Sequence, residues 1–236
     1  MVGTWVNVAA ILIGGLLGLF LGSRLSERVR QTVIAGLGLF VLAFGMKLFI
    51  STHNALAVLG SVLIGALLGE WLQIDQALQR LGVWLESRFV KVNGGDSDSR
   101  FVRGFVTASL VFCVGPMAIL GSIQDGLTGV YSTLVVKAIL DAFGALAFAS
   151  SLGVGVLFSA VIVLVYQGAI SLLAVQVQSV VTDAMMVEMN ATGGVLLLAI
   201  ALSSLLEVTK VRTGNFLPAL LIAPLKVLLM QLLKVY

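Results

Sequence analysis

Apolar runs of about twenty residues recur from one end of this chain to the other, and each is the length a helix needs to cross a bilayer. Lipid offers backbone groups no hydrogen bonds, so a spanning segment must be a helix or part of a closed barrel. Barrel strands would appear as ten-residue stretches of alternating polarity, and none occurs. Composition points the same way. The chain is 59% hydrophobic and 11% charged, where soluble domains carry roughly 25% charged residues. The expected fold is an all-α polytopic transmembrane helical bundle.

About eight spans are predicted, near Val6–Leu21, Val33–Ile50, Ala57–Leu72, Val102–Leu120, Leu134–Leu152, Val156–Val175, Gly193–Leu206 and Phe216–Leu233. Basic residues sort by loop. Arg24, Arg28 and Arg30 follow the first span. Arg80, Arg88, Lys91, Arg100 and Arg103 follow the third. Lys210 and Arg212 follow the seventh. The loop between the sixth and seventh carries only Asp183 and Glu188. Positive loops face the cytoplasm, so both termini are expected outside. Lys47 and Lys234 sit at outer span ends, where lysine snorkels. The first run has no basic leader and its charges follow it, which favours a retained first span over a cleaved signal. The net charge of +3 belongs to these loops, and no nucleic-acid partner is expected. Cys113 is the single cysteine; it has no intramolecular disulfide partner and reads as packing.

Ile74, Leu78, Leu81 and Leu85 recur at helical spacing beside Trp84, an amphipathic cytoplasmic or interfacial helix. Residues 93–99 (Asn-Gly-Gly-Asp-Ser-Asp-Ser) read as a flexible linker inside a cytoplasmic loop over 75–101. Ile11–Gly18 (ILIGGLLG) recurs as Val62–Gly69 (VLIGALLG), with fainter echoes of Phe44-Gly45-Met46 at Gly115-Pro116-Met117 and at Ala223–Lys226. Chance in apolar sequence is one explanation. The other is a parallel repeat of helical hairpins within a single integral membrane domain, with units 1–55, 56–127, 128–190 and 191–236. Gly14, Gly18 and Gly22, like Gly65 and Gly69, form small-residue stripes for close helix packing, within the chain or in a homo-oligomer.

A few polar residues lie inside these runs. Lys137 and Asp141 are four apart and share a helix face. Ionisable groups at membrane depth usually face a bundle interior or a wet cavity. The pair reads equally as a structural clasp or as a gate. Pro116 follows Gly115 in mid-span and predicts a kink, with Gln124, Asp125 and Gly126 ending the run in a turn. A broken helix ending in amide and carboxylate suits an ion or polar-solute site; a solvated outer turn is the plain alternative. Asn7 and Gln167 are isolated amides suited to bonding between helices. Asn215 reads as an N-cap, with Pro218 in the first turn of the last span. Glu207 and Lys210 read as a solvated rim. His53 lacks partners for a metal site. No Walker loop, dinucleotide fingerprint, nucleophile elbow or zinc-protease motif occurs, so neither an enzyme nor a cofactor is expected.

The opening Gly3-Thr4-x-x-Asn7 with Ile-Gly-Gly-Leu-Leu-Gly, the stretch FCVGPMAILGSIQDGLTG, then KAILD, FASSLG, YQG and the terminal GNFLPALL together resemble the bacterial YdfK/YqgA-like membrane proteins, domain of unknown function 554. The resemblance spans essentially the whole chain, and FCVGPMAILGSIQDGLTG is its most specific part. It implies a prokaryotic plasma (inner) membrane protein with a suggested role in transport, and it carries no functional residues.

The residues therefore lead to a transporter or channel for a small ion, a cation slightly favoured, or a small polar solute. Its expected site lies between spans four and five at Gln124, Asp125, Lys137 and Asp141, with Asn7, Gln167 and Asn215 from facing helices. The rival is a non-transporting membrane scaffold or accessory subunit whose polar residues are helix glue.

Overall fold

A computed structural model describes residues 1–89 and 97–232. All regular structure among them is helical. Seven helices are long and apolar enough to cross a bilayer, and a bent pair, 100–113 with 117–128, makes an eighth candidate. Residues 90–96, most of the expected linker, and Lys234 lie outside the described residues. Ser97–Ser99, expected in that linker, instead open a helix that continues into the fourth apolar run.

The chain forms two compact units. The first comprises Met1–Leu37 and Gln79–Ser179, the second Gly38–Leu78 and Val180–Tyr236.

The first unit is built on α1 (Val2–Gly22), α5 (Ser97–Cys113), α6 (Pro116–Thr128), α7 (Ser132–Leu152), α8 (Gly155–Leu172) and the short α9 (Ala174–Val180). It also holds the start of α2 (Glu27–Ile50) and the end of α4 (Ile74–Phe89). Lipid tails are as apolar as leucine, so what brings two helices together here is close packing rather than hydrophobic expulsion. The glycine stripe supplies it. A Cβ on Gly14, Gly18 or Gly22 would overlap the carbonyl oxygens of Ala142, Leu146 and Ser150 respectively. The rising numbers on both sides show that α1 and α7 run parallel. Large side chains such as Leu16, Phe20 and Phe143 are left outward, exposed as lipid-facing residues are.

Pro116 does not kink a continuous helix. α5 stops at Cys113, Gly115 adopts φ 134°, and Pro116 begins α6 at its first turn, where the missing N–H costs nothing. The two helices meet at 63°. Nor does Gly126 break anything. α6 continues to Thr128 and ends on Gly129 at φ 71°, while Gly126 lets the Ser171 carbonyl approach. The bent pair lies along α8. Phe101 packs on Gly155 at one end of α8, and Ser171 Oγ donates to the Ser122 carbonyl at the other. The seventeen residues from Gly155 to Ser171 rise about 24 Å, so the pair runs beside α8 for that length.

The second unit holds the rest of α2, α3 (Ala55–Leu72), the start of α4, α10 (Asp183–Ile200), a π-helical turn (Ala201–Leu205), a 3-10 turn (Thr213–Phe216) and α11 (Pro218–Leu232). Gly65 and Gly69 press against Ala219 and Asn215, so α3 and α11 run antiparallel. The two copies of the glycine motif thus share a packing role but take partners of opposite sense. Gly45 and Gly194 do the same for α2 and α10. α10 begins ten residues before the expected seventh span, because Thr182 caps it by accepting from the Met185 N–H at 3.3 Å and Met185 and Met186 are buried.

Candidate functional site

Lys137, Asp141, Asn7 and Asp125, all buried, lie toward the end of the first unit that holds Met1, the α6–α7 turn and the close of α8. Lys137 and Asp141 form an ion pair along α7, as their spacing requires. Asn7 Nδ2 donates to Asp141 Oδ2 at 3.0 Å, tying α1 to the same carboxylate. Asp125 receives the Gly3 N–H at 3.0 Å and the Met1 nitrogen at 3.1 Å. It thereby caps α1 from another helix, an anion at the positive end of the dipole. Phe112, in the last turn of α5, packs on Gly144 of α7, so the break between α5 and α6 lies within about a turn of the pair.

A second set of groups at this depth has no protein partner. Thr4 Oγ1, Asn7 Oδ1, Ser122 Oγ and both amide atoms of Gln167 are buried and make no hydrogen bond within the protein. Gln167 is 0% exposed. Register places these groups together. Gly15 packs on Leu157, and the Met1 methyl packs on Gly168, so α1 and α8 are antiparallel with Gln167 level with the first turns of α1. Ser122 is one turn from Asp125, which meets Met1 and Gly3. Thr4 and Asn7, three apart, share a face of α1. Three helices thus contribute to a layer about one or two turns thick (~5–10 Å), bordered by the ion pair on α7. Leaving such a group unsatisfied costs about 1–3 kcal/mol, so the layer has unmet capacity for hydrogen bonding.

Two expected members lie elsewhere. Gln124 is exposed on the far side of α6, where its Oε1 accepts from Thr133 Oγ1 at 2.8 Å. Asn215 belongs to the second unit and is not an N-cap. Its Oδ1 accepts from the Asp75 N–H at 2.8 Å and its Nδ2 donates to Glu70 Oε2 at 2.6 Å. Asp75 returns a bond by accepting from the Gly214 N–H at 3.0 Å, and Arg212 pairs with Glu70.

Glu188 corrects the reading of the loop before the seventh span. It lies in α10, 0% exposed, and its carboxylate accepts from Thr52 Oγ1 at 2.5 Å, the His53 N–H at 2.9 Å and the Asn54 N–H at 3.0 Å. It secures the turn that starts α3. Sequence reading also passed over Thr4 and Ser122. The usable signal was their spacing of three from Asn7 and Asp125. Among the described residues no three His, Cys, Asp or Glu side chains group to hold a metal ion.

The family described as "Protein of unknown function (DUF554)" matches residues 2–228. The chain belongs to the DUF554 family. Two relatives align along almost their full lengths. "Uncharacterized protein YqgA" of Escherichia coli (strain K12) is 32% identical, covering 94% of each chain. "Uncharacterized membrane protein YdfK" of Bacillus subtilis (strain 168) is 30% identical, covering 95% of this chain and 94% of the relative. No solved structure matches. This DUF554 chain is accordingly a multi-span helical membrane protein, and its buried polar layer sits in the first unit.

Proposed function

We propose that the protein is a membrane transporter or channel for a small ion or small polar solute, with its site in the polar layer of the first unit. The observation that carries this is Gln167, a fully buried amide with neither polar atom partnered, level with three further unpartnered groups. Polar atoms that helix-to-helix bonding leaves over are those open to a buried water or a passing solute. A site for a passing solute keeps some of them free. The bend at Gly115 supports the reading, because discontinuous helices are a common way to build sites within membranes.

The closed Lys137–Asp141 pair favours a second reading, a non-transporting scaffold in which that pair clasps α1 and α7. Flux separates the two. The protein is reconstituted in sealed vesicles and tested with a panel of ions and polar solutes beside Asp141→Asn and the charge-free double variant Lys137→Met/Asp141→Leu. Transport that either folded variant slows by about tenfold or more supports the first reading. A folded wild-type protein that passes no probe supports the scaffold.

A further inference from the structure

The proposed transport site has a character that the sequence alone did not suggest. Its charged groups are already committed to one another. Lys137 is paired with Asp141, which also takes a bond from Asn7, and Asp125 is bound by the first residues of α1. What remains unpartnered is neutral throughout: two amide oxygens, one amide nitrogen and two hydroxyls. Gln167 Nε2 is a donor, which a cation leaves unsatisfied. Gln167 Oε1 and Asn7 Oδ1 are acceptors, which an anion leaves unsatisfied. The hydroxyls of Thr4 and Ser122 serve in either sense.

We infer that the Thr4–Asn7–Ser122–Gln167 layer takes a small neutral solute bearing both hydrogen-bond donors and acceptors, of the polyol or amide class, and does not take an inorganic ion. This rests on the transport reading above and narrows its cargo. An ion would enter a low-dielectric interior without a free counter-charge unless the Lys137–Asp141 pair opened, and an intramembrane charge without a partner is costly. A neutral bifunctional solute exchanges its bonds to water for bonds to the layer and leaves the ion pair closed.

The test uses the full chain in sealed vesicles with glycerol and urea as neutral probes, and sodium, potassium and protons as charged ones. Gln167→Leu removes both amide atoms at similar volume. Gln124→Leu, on the exposed face of α6, is the control. The expected result is glycerol or urea flux above that of empty vesicles, independent of membrane potential. Gln167→Leu should lower it about tenfold, the worth of one lost hydrogen-bonding group, and Gln124→Leu should leave it unchanged. Thr4→Val and Ser122→Ala give the same comparison where Gln167→Leu does not fold. Flux carried by sodium, potassium or protons alone overturns the neutral-solute inference and leaves the transport reading standing. Neutral flux that none of the three layer variants alters also overturns the inference. No flux of any probe through folded protein overturns both.

Discussion

The two units handle buried polarity in opposite ways. In the second unit each prominent buried carboxylate or amide is engaged. Glu188 holds the turn at 52–54, and Asn215 links Asp75 to Glu70. In the first unit lie all the buried side-chain atoms, among the described residues, that make no hydrogen bond: those of Thr4, Asn7, Ser109, Ser122 and Gln167. Both units use glycine stripes to draw helices together, so packing does not separate them. The contrast separates polarity that is bonded within the protein from polarity that is not.

The contrast can be broken most sharply at its charged members. Glu188→Ala leaves the His53 N–H and the Thr52 hydroxyl without their acceptor, the Asn54 N–H keeping its bond to Thr52 Oγ1, and is expected to cost about 3 kcal/mol, read as thermal unfolding in detergent. Asp141→Leu, which strands Lys137 and the Asn7 amide, is expected to cost a similar ~3–5 kcal/mol, while Lys137→Met/Asp141→Leu recovers the part due to Lys137 and stays below wild type by the lost Asn7 bond. A double variant as unstable as the single would mean that the pair holds α7 in place.

Asn215→Leu and Gln167→Leu sharpen the comparison directly. Both remove a buried amide. The first abandons the Asp75 N–H and removes one of the bonds to Glu70, which keeps Arg212, and is expected to cost about 2–3 kcal/mol. The second abandons no partner, removes two buried polar atoms that have none, and is expected to raise stability by about 1–3 kcal/mol. Equal losses in denaturation would erase the difference between the units. Gly18→Ala, which drives a methyl into the Leu146 carbonyl, is expected to cost about 1–3 kcal/mol. Gly36→Ala has open space around it, and its expected effect is a gain of up to about 1 kcal/mol from helix propensity alone.

Much of the fold was legible because membrane helices announce themselves by length and apolarity, and because Gly14, Gly18 and Gly22 mark a contact face without further information. The meeting of Lys137 with Asp141 followed from spacing. Other features were hidden for physical reasons. Glu188 looked like a loop acid because hydropathy cannot distinguish a solvated carboxylate from one wrapped by a distant turn. Its partners lie more than 130 residues away. Asn215 mimicked a cap because a side chain beside a helix start is read locally, while its bonds run to α3 and α4. Pro116 read as a kink because one residue of sequence separates a bent helix from a new one, and only the positive φ of Gly115 decides between them. Thr4 and Ser122 were overlooked because hydroxyls usually return a bond to their own helix backbone, as Ser61 and Thr192 do here.

The parallel pairing of α1 with α7 carries a consequence for biogenesis. Asn7 and Asp141 are separated by 134 positions along the chain. At ribosomal speeds of roughly 5–20 residues per second, α1 is released into the bilayer some 7–27 seconds before its partner is synthesised. Throughout that interval its glycine face and Asn7 amide are open to any neighbouring helix. α1 is therefore made well before it can be locked, and newly made chains are most open to mispairing before translation reaches α7.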